Sequence, residues 1–142
     1  MSGFLLDTNV ISELVKVKPE PKVTRWIENT DETLLYLSVL TLGEIRKGIS
    51  FLPQSRRRVV ALEAWLDHDL SLRFSDRILP VDKQVADRWG RIAGSAAAKK
   101  SPLPVIDGLF AATAQHHNLT LVTRNTRDIA ATGVPAFDPW TA

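Results

Sequence analysis

The chain has 142 residues, 44% of them hydrophobic and 24% charged, an ordinary globular composition, and a chain of this length buries roughly 68–70% of its unfolded surface. It contains no cysteine, which excludes disulfides and thiolate metal sites and fits a reducing compartment. A net charge of +2 permits nucleic-acid binding without arguing for it. No run approaches the roughly 18 uncharged apolar residues of a membrane helix, and the apolar opening stops at Asp7 with no basic leader. A soluble, cytoplasmic protein with no membrane partner is expected.

Phe4-Leu5-Leu6 reads as a short buried strand ending at Asp7. Val10, Ile11, Leu14 and Val15 then predict a helix over Thr8–Lys16, which Pro19 and Pro21 break. Val23, Trp26 and Ile27 share one face of a second helix over Val23–Asn29. Leu34–Ser38 is a second strand. The next helix starts near Thr41, carries Leu42, Ile45, Ile49 and Leu52 as its stripe, and ends at Pro53. Arg56–Phe74 continues as a long helical stretch with Val59, Leu62, Trp65, Leu66 and Leu70 inward.

Ile78–Val81 is a third, short strand, and Asp82 stands where an N-cap belongs. The stripe Val85, Ala86, Trp89, Ile92, Ala93 and Ala96 marks the helix after it. Lys99–Pro104 reads as a loop and Val105–His117 as a helix that Asn118 closes in the left-handed conformation. Leu119–Thr123 is the strongest strand in the chain. A polar turn with Asn125 and Asp128 follows, then a last strand at Pro135–Phe137. Short apolar strands alternating with helices predict one α/β domain, residues 1–142, with a central, mostly parallel sheet covered on both faces.

In such sheets ligands bind beyond the carboxyl ends of the strands. Asp7 lies directly after the first strand, Glu44 in the first turn or so after the second, and Asn125 and Asp128 after the strand 119–123. Asp107 stands one step off the bulky stripe of its helix, with Ala111 and Ala114 on its own face, and Gly48 lies one turn beyond Glu44. Small residues beside an acid leave room for a hydrated ion or a phosphate. Two carboxylates about 5 Å apart repel by roughly 3 kcal/mol at an effective dielectric of 20, so a cluster of them calls for protons or a cation. All-oxygen ligands favour Mg²⁺ or Mn²⁺ over zinc, and His68, His116 and His117 are not placed as ligands. A hard ion held by carboxylates activates water and stabilises charge on phosphate, which suits phosphodiester hydrolysis.

The motifs resemble those of the PIN-domain family, especially its VapC-type toxins. Leu5-Leu6-Asp7-Thr8-Asn9-Val10 resembles the family's opening motif, and Leu37-Ser38 through Thr41-Leu42-Gly43-Glu44-Ile45-Arg46-Lys47-Gly48 its second. Asp107–Ala114 resembles the third, and Leu121-Val122-Thr123-Arg124-Asn125-Thr126-Arg127-Asp128 the fourth. Phe137-Asp138-Pro139-Trp140 is similar to the tail of the FitB-type subgroup. The resemblance spans residues 4 to 140, and four motifs in order carry it.

It implies a PIN-like (Rossmann-like) three-layer sandwich and Mg²⁺- or Mn²⁺-dependent endoribonuclease activity on RNA. It also implies a homodimer and a cognate antitoxin in a type II toxin–antitoxin hetero-oligomer. Asp7, Glu44 and Asp107 match the family's catalytic, metal-binding acids, and Thr8, Asn9 and Thr123 its site-lining polar residues. Asp128 stands where some members have the fourth catalytic, metal-binding acid, and Asn125, where others have it, is expected to line the site.

Two other functions fit parts of the pattern. A haloacid-dehalogenase-like phosphatase also opens on a strand and an Asp, but it needs a second Asp two residues on, where Asn9 stands. A catalytically silent nucleic-acid-binding module would keep the fold without the acids, yet none of the core set is missing. Asp7 could serve as a helix cap, Glu44 as a solvated helix residue, Asp107 as part of its helix start, and Asp128 as a turn residue. Trp26, Trp65 and Trp89 suit a core or an interface, and His116 and His117 suit a helix end as cations. Arg56–Arg58, Lys99-Lys100, Arg124 and Arg127 are candidates for phosphate or antitoxin contact.

Overall fold

The computed structural model describes residues 3–52 and 56–142. In chain order the elements are β1 (Phe4–Leu6), α1 (Thr8–Glu13), α2 (Pro21–Glu28), a 3-10 turn (Glu32–Leu34), β2 (Leu35–Ser38) and α3 (Val39–Ser50). Then come α4 (Arg56–Ala64), a π-helical stretch (Trp65–Leu70), α5 (Ser71–Arg73), β3 (Ile78–Leu79), α6 (Lys83–Ala93) and α7 (Ala96–Lys100). The chain closes with α8 (Val105–His116), β4 (Thr120–Val122), α9 (Thr126–Ala130) and β5 (Ala136–Phe137).

The sheet has the order β3-β2-β1-β4-β5, and every pairing is parallel. Alternation along each strand divides the core in two. Leu6, Leu35, Leu37 and Val122 face one side and pack with Val10, Ile11, Ile27, Ile45, Leu66 and Phe74. Leu5 and Leu121 face the other and pack with Phe110, Ala111, Ala114 and Ile129. Helices α1–α3 and the π-helical stretch therefore cover one face, and α8 and α9 the other, giving the expected three-layer α/β sandwich. No helix among the described residues is long and apolar enough to cross a membrane.

Several local expectations shift. The helix after β2 starts at Val39, not near Thr41, because Ser38 caps it: its Oγ accepts from the Leu40 N–H at 3.0 Å. Glu44 therefore sits in the second turn. The expected stop at Pro53 lies outside the described residues. Leu34 closes the 3-10 turn and does not open β2. Lys99 and Lys100 end the short helix α7 instead of lying in a loop, since the alanines before them favour helix and Ser95 Oγ accepts from the Ala98 N–H. The expected polar turn after β4 closes into α9, with Asn125 at its N-cap and Asp128 within it.

Asp82 does cap α6, accepting from the Val85 N–H at 3.0 Å, and Asn118 is left-handed at φ 55°. Trp26 packs edge-on against the Phe4 ring and also meets the Phe137 ring, partly buried against the core of that layer. At the end of α8, burial and the neighbouring His116 push the His117 pKa below its usual value, which disfavours the cation at that helix end.

Candidate active site

The parallel register puts the ends of β1 and β4 side by side, with Leu6 opposite Val122. The residues that follow, Asp7 and Thr123, are therefore neighbours. Sheet order reverses here: the chain runs outward through β2 and β3 on one side of β1 and through β4 and β5 on the other. Such a switch point opens a crevice at the carboxyl end of the sheet.

Asp7 is the deepest acid of the site, 9% exposed. Its Oδ1 accepts from the Thr8 N–H at 2.6 Å, so it does cap α1. Its Oδ2 accepts from Thr123 Oγ1 at 2.7 Å, with the Asn9 amide farther off at 3.4 Å. Burial raises its pKa above the ordinary 3.8, and repulsion from Asp107 and Glu44 adds to that, against the hydrogen bonds of Thr123 and Thr8. The capping role and a site role coexist in this one carboxylate.

Glu44 is half-buried on α3, and its Oε1 accepts from Thr8 Oγ1 at 2.6 Å. Asp107, in the first turn of α8, has its pKa raised by burial, then by Glu44 and Asp128. These mutual charge effects place the four acids in one electrostatic neighbourhood, with Asp107 coupled to the other three. Asp128, exposed on α9, reaches the group through Asp107.

The polar residues around the acids divide by role. Thr123 is fully buried and accepts from the Asn125 N–H at 3.1 Å while donating to Asp7. Asn125 thus contributes its backbone to the site. Asn9 Oδ1 is buried without a hydrogen-bond partner, an acceptor beside the cluster that awaits a donor. Thr41, fully buried on α3, places its Oγ1 3.1 Å from Thr8 Oγ1. The sequence reading did not single out Thr41, although its position one helical turn before Glu44 puts both on one face.

One expectation about space is corrected. Ala111 and Ala114 do not flank an ion beside Asp107; they are fully buried in the core against the sheet, where small side chains let α8 approach. The open space lies at Glu44. A Cβ on Gly43 or Gly48 would meet nothing within 4 Å. Hollows of about 560 and 250 Å³ flank Glu44, one bordered by Val39, Phe51 and Ile106, the other by Ser12, Val15 and Trp65. The candidate cations lie around the site. Arg124 sits 5.1 Å from the Trp140 ring centre and its charge also favours that of Glu13, while Arg58 donates to the Val15 carbonyl.

Among the described residues, no three acid or histidine side chains converge tightly enough to cage an ion by themselves. The donor set is nonetheless that of a hard cation: carboxylate oxygens, buried enough to resist ionising together, and an unpartnered amide oxygen. Mg²⁺ keeps several waters and is typically bound through one or two carboxylates plus substrate phosphates. An uncaged cluster fits that mode and does not fit a dehydrated, all-protein site.

The family model described as PIN domain matches residues 4–134. Over 137 residues the chain is 37% identical to Toxin FitB of Neisseria gonorrhoeae, covering 96% of this chain and 98% of that protein. It is 33% identical over 137 residues to VapC ribonuclease Y4jK of Sinorhizobium fredii, covering 96% and 97%. The crystal structure of FitAcB from Neisseria gonorrhoeae superposes with a TM-score of 0.92 at 35% identity, covering 98% of this chain and 99% of that one.

Proposed function

Because this chain belongs to the PIN-domain family, with FitB and VapC relatives, we propose that it is a Mg²⁺- or Mn²⁺-dependent endoribonuclease and the toxin of a type II toxin–antitoxin pair. The observation that carries this reading is the placement of Asp7 at the carboxyl end of β1 beside Thr123, and of Glu44 against Thr8, so that threonine hydroxyls brace two of the three acids. A relative that is named a ribonuclease supports RNA as the substrate. The reaction is hydrolysis: a water oxygen bonds to phosphorus and one P–O ester bond breaks.

Asp7, Glu44 and Asp107 are the residues that would hold the cation, and Asp128 would contribute through water. A divalent ion bound there activates water and neutralises charge on the phosphodiester. The chain's own residues do the rest. Thr123 and the Thr8 N–H fix both oxygens of Asp7, and Thr8 Oγ1 fixes one oxygen of Glu44. Asn9 Oδ1 offers an acceptor to a water or a ribose hydroxyl. Arg124 and Arg127, on either side of the Asn125 turn, supply positive charge for the RNA backbone. The phosphatase alternative has no second acid, since Asn9 presents an amide to Asp7 where that chemistry needs a proton donor.

A toxin must be held inactive in its own cell, so the reading includes an antitoxin. Val39 and Phe51, 41% and 73% exposed beside Glu44, are apolar surface that such a partner would bury while closing the site.

The test is RNA cleavage by purified wild-type protein and Asp107→Asn, each with and without EDTA. Cleavage by the wild type alone, abolished by EDTA and restored by Mg²⁺ or Mn²⁺, is the expected result. Equal residual cleavage by both proteins would overturn the catalytic assignment.

A further inference from the structure

We propose that Thr41 is a positioning residue for the acid cluster: from beneath Thr8 it sets the direction of the Thr8 hydroxyl, and through it the orientation of the Glu44 carboxylate. The inference rests on the role given to Glu44 under the proposed function.

The argument is one of proton counting. Thr8 Oγ1 lies 2.6 Å from Glu44 Oε1 and 3.1 Å from Thr41 Oγ1. A hydroxyl has one proton and two lone pairs, and Thr8 is the donor in its bond to Glu44. The Thr8 proton is therefore committed to Glu44. In the contact between the two threonines Thr41 must then be the donor, and the chain of hydrogen bonds runs one way, Thr41 to Thr8 to Glu44.

Thr41 is 0% exposed, so bulk water does not compete with Thr8 for its hydroxyl proton. Bonds in such a chain polarise one another, which strengthens the one that reaches the carboxylate. Holding Oε1 fixes the plane of the Glu44 carboxylate and so the direction in which Oε2 is presented. The hydrogen bond of the Thr41 hydroxyl is to Thr8, and it acts through that residue.

The same device occurs on the other side of the crevice. There the Asn125 N–H donates to Thr123 Oγ1 at 3.1 Å, and Thr123 donates to Asp7 Oδ2 at 2.7 Å. In each case a second donor stands behind a threonine hydroxyl, and the hydroxyl stands behind a carboxylate. On the Asp7 side the rear donor is a backbone N–H, which no substitution short of proline removes. On the Glu44 side it is a side chain, so this chain can be cut.

The experiment is Mn²⁺ titration calorimetry, with the metal alone, on the full chain as wild type, Thr41→Val, Thr41→Ala and Thr41→Ser. Melting curves and RNA cleavage across a Mn²⁺ series accompany it. Valine and alanine remove the donor, and serine keeps it. Thr41→Val and Thr41→Ala are expected to weaken Mn²⁺ binding about tenfold, the size typical of groups that orient metal ligands. Thr41→Ser is expected to bind as the wild type does, and the cleavage lost in Thr41→Val to return at high Mn²⁺. If the valine variant does not fold, the alanine and serine variants still make the comparison. A folded hydroxyl-free variant that binds Mn²⁺ as tightly as the wild type overturns the proposal, as does a serine variant as weak as the valine one. A wild type that neither binds Mn²⁺ nor cleaves RNA defeats the proposed function and this inference with it. Unchanged Thr41 variants of an active wild type defeat this inference alone.

Discussion

Thr123 donates its hydroxyl proton to Asp7 Oδ2 over 2.7 Å, a bond between residues 116 apart in the chain. It exists because β1 and β4 are adjacent parallel strands in a register that ends both at the same level. The bond is fully buried, so neither partner has water as a substitute.

Thr123→Val keeps the shape of the side chain and removes both of its hydrogen bonds. One oxygen of Asp7 and the Asn125 N–H are left short of a partner, at a cost of about 1–3 kcal/mol. Cleavage should fall about 10- to 100-fold, as for other groups that orient metal ligands. Melting curves and single-turnover cleavage measure the two effects. A variant as stable and active as the wild type would show that this bond does not organise the site.

Asp107 predicts a pH effect in metal-free protein. Burial, then Glu44 and Asp128, raise its pKa above 3.8 in the folded state. A carboxyl of this kind favours the folded state fully below its unfolded pKa, and the contribution is lost as pH rises through the folded pKa. In EDTA at neutral pH, Asp107→Asn should therefore melt higher than the wild type, with the gap narrowing as pH is lowered toward 4. Added Mn²⁺ should raise the wild type and leave the variant behind. A wild type more stable than Asp107→Asn in EDTA at neutral pH would contradict the sign.

Asp128 ranks below the other three acids. It is exposed on α9 and acts on the cluster through Asp107. Asp128→Asn should lower cleavage about tenfold, the scale of an outer contribution, whereas Asp7→Asn should abolish it. Parallel kinetics of the two variants decide the ranking, and a loss as complete as that of Asp7→Asn would make Asp128 a direct ligand.

Gly108 follows Asp107 on α8, at a close approach to α6. A Cβ there would lie 3.0 Å from Trp89 Cδ1 and Nε1, where α6 crosses α8. Alanine gains about 1 kcal/mol in helix propensity, but overpacking costs about 1–3 kcal/mol. Here the cost should win, because the obstacle is a broad indole ring wedged between two helices and not the end of a flexible chain. Gly108→Ala should melt lower and cleave more slowly, and in a Trp89→Leu background the stability penalty should vanish. A penalty of the same size in both backgrounds would place its cause elsewhere.

Much of this protein was legible in the order of its residues. The strands over Phe4–Leu6 and Leu119–Thr123, the cap at Asp82 and the left-handed Asn118 are local features, set by side-chain period and by which residues favour a cap or a positive φ. Asp7, Glu44 and Asp107 stood out because each follows, or lies on, an element whose place in a parallel sheet is predictable. What failed locally did so for nameable reasons. The serine at 38 starts α3 two residues early, and alanines before Lys99 extend a helix into an expected loop. The small face beside Asp107 serves core packing, a use that spacing alone does not distinguish from an ion pocket. Only the tertiary structure decided which hydroxyl meets which acid. Thr8 with Glu44, Thr41 with Thr8 and Thr123 with Asp7 are pairs 33 to 116 residues apart. Their meeting depends on strand order and register, and those are settled by burying both faces of the sheet at once.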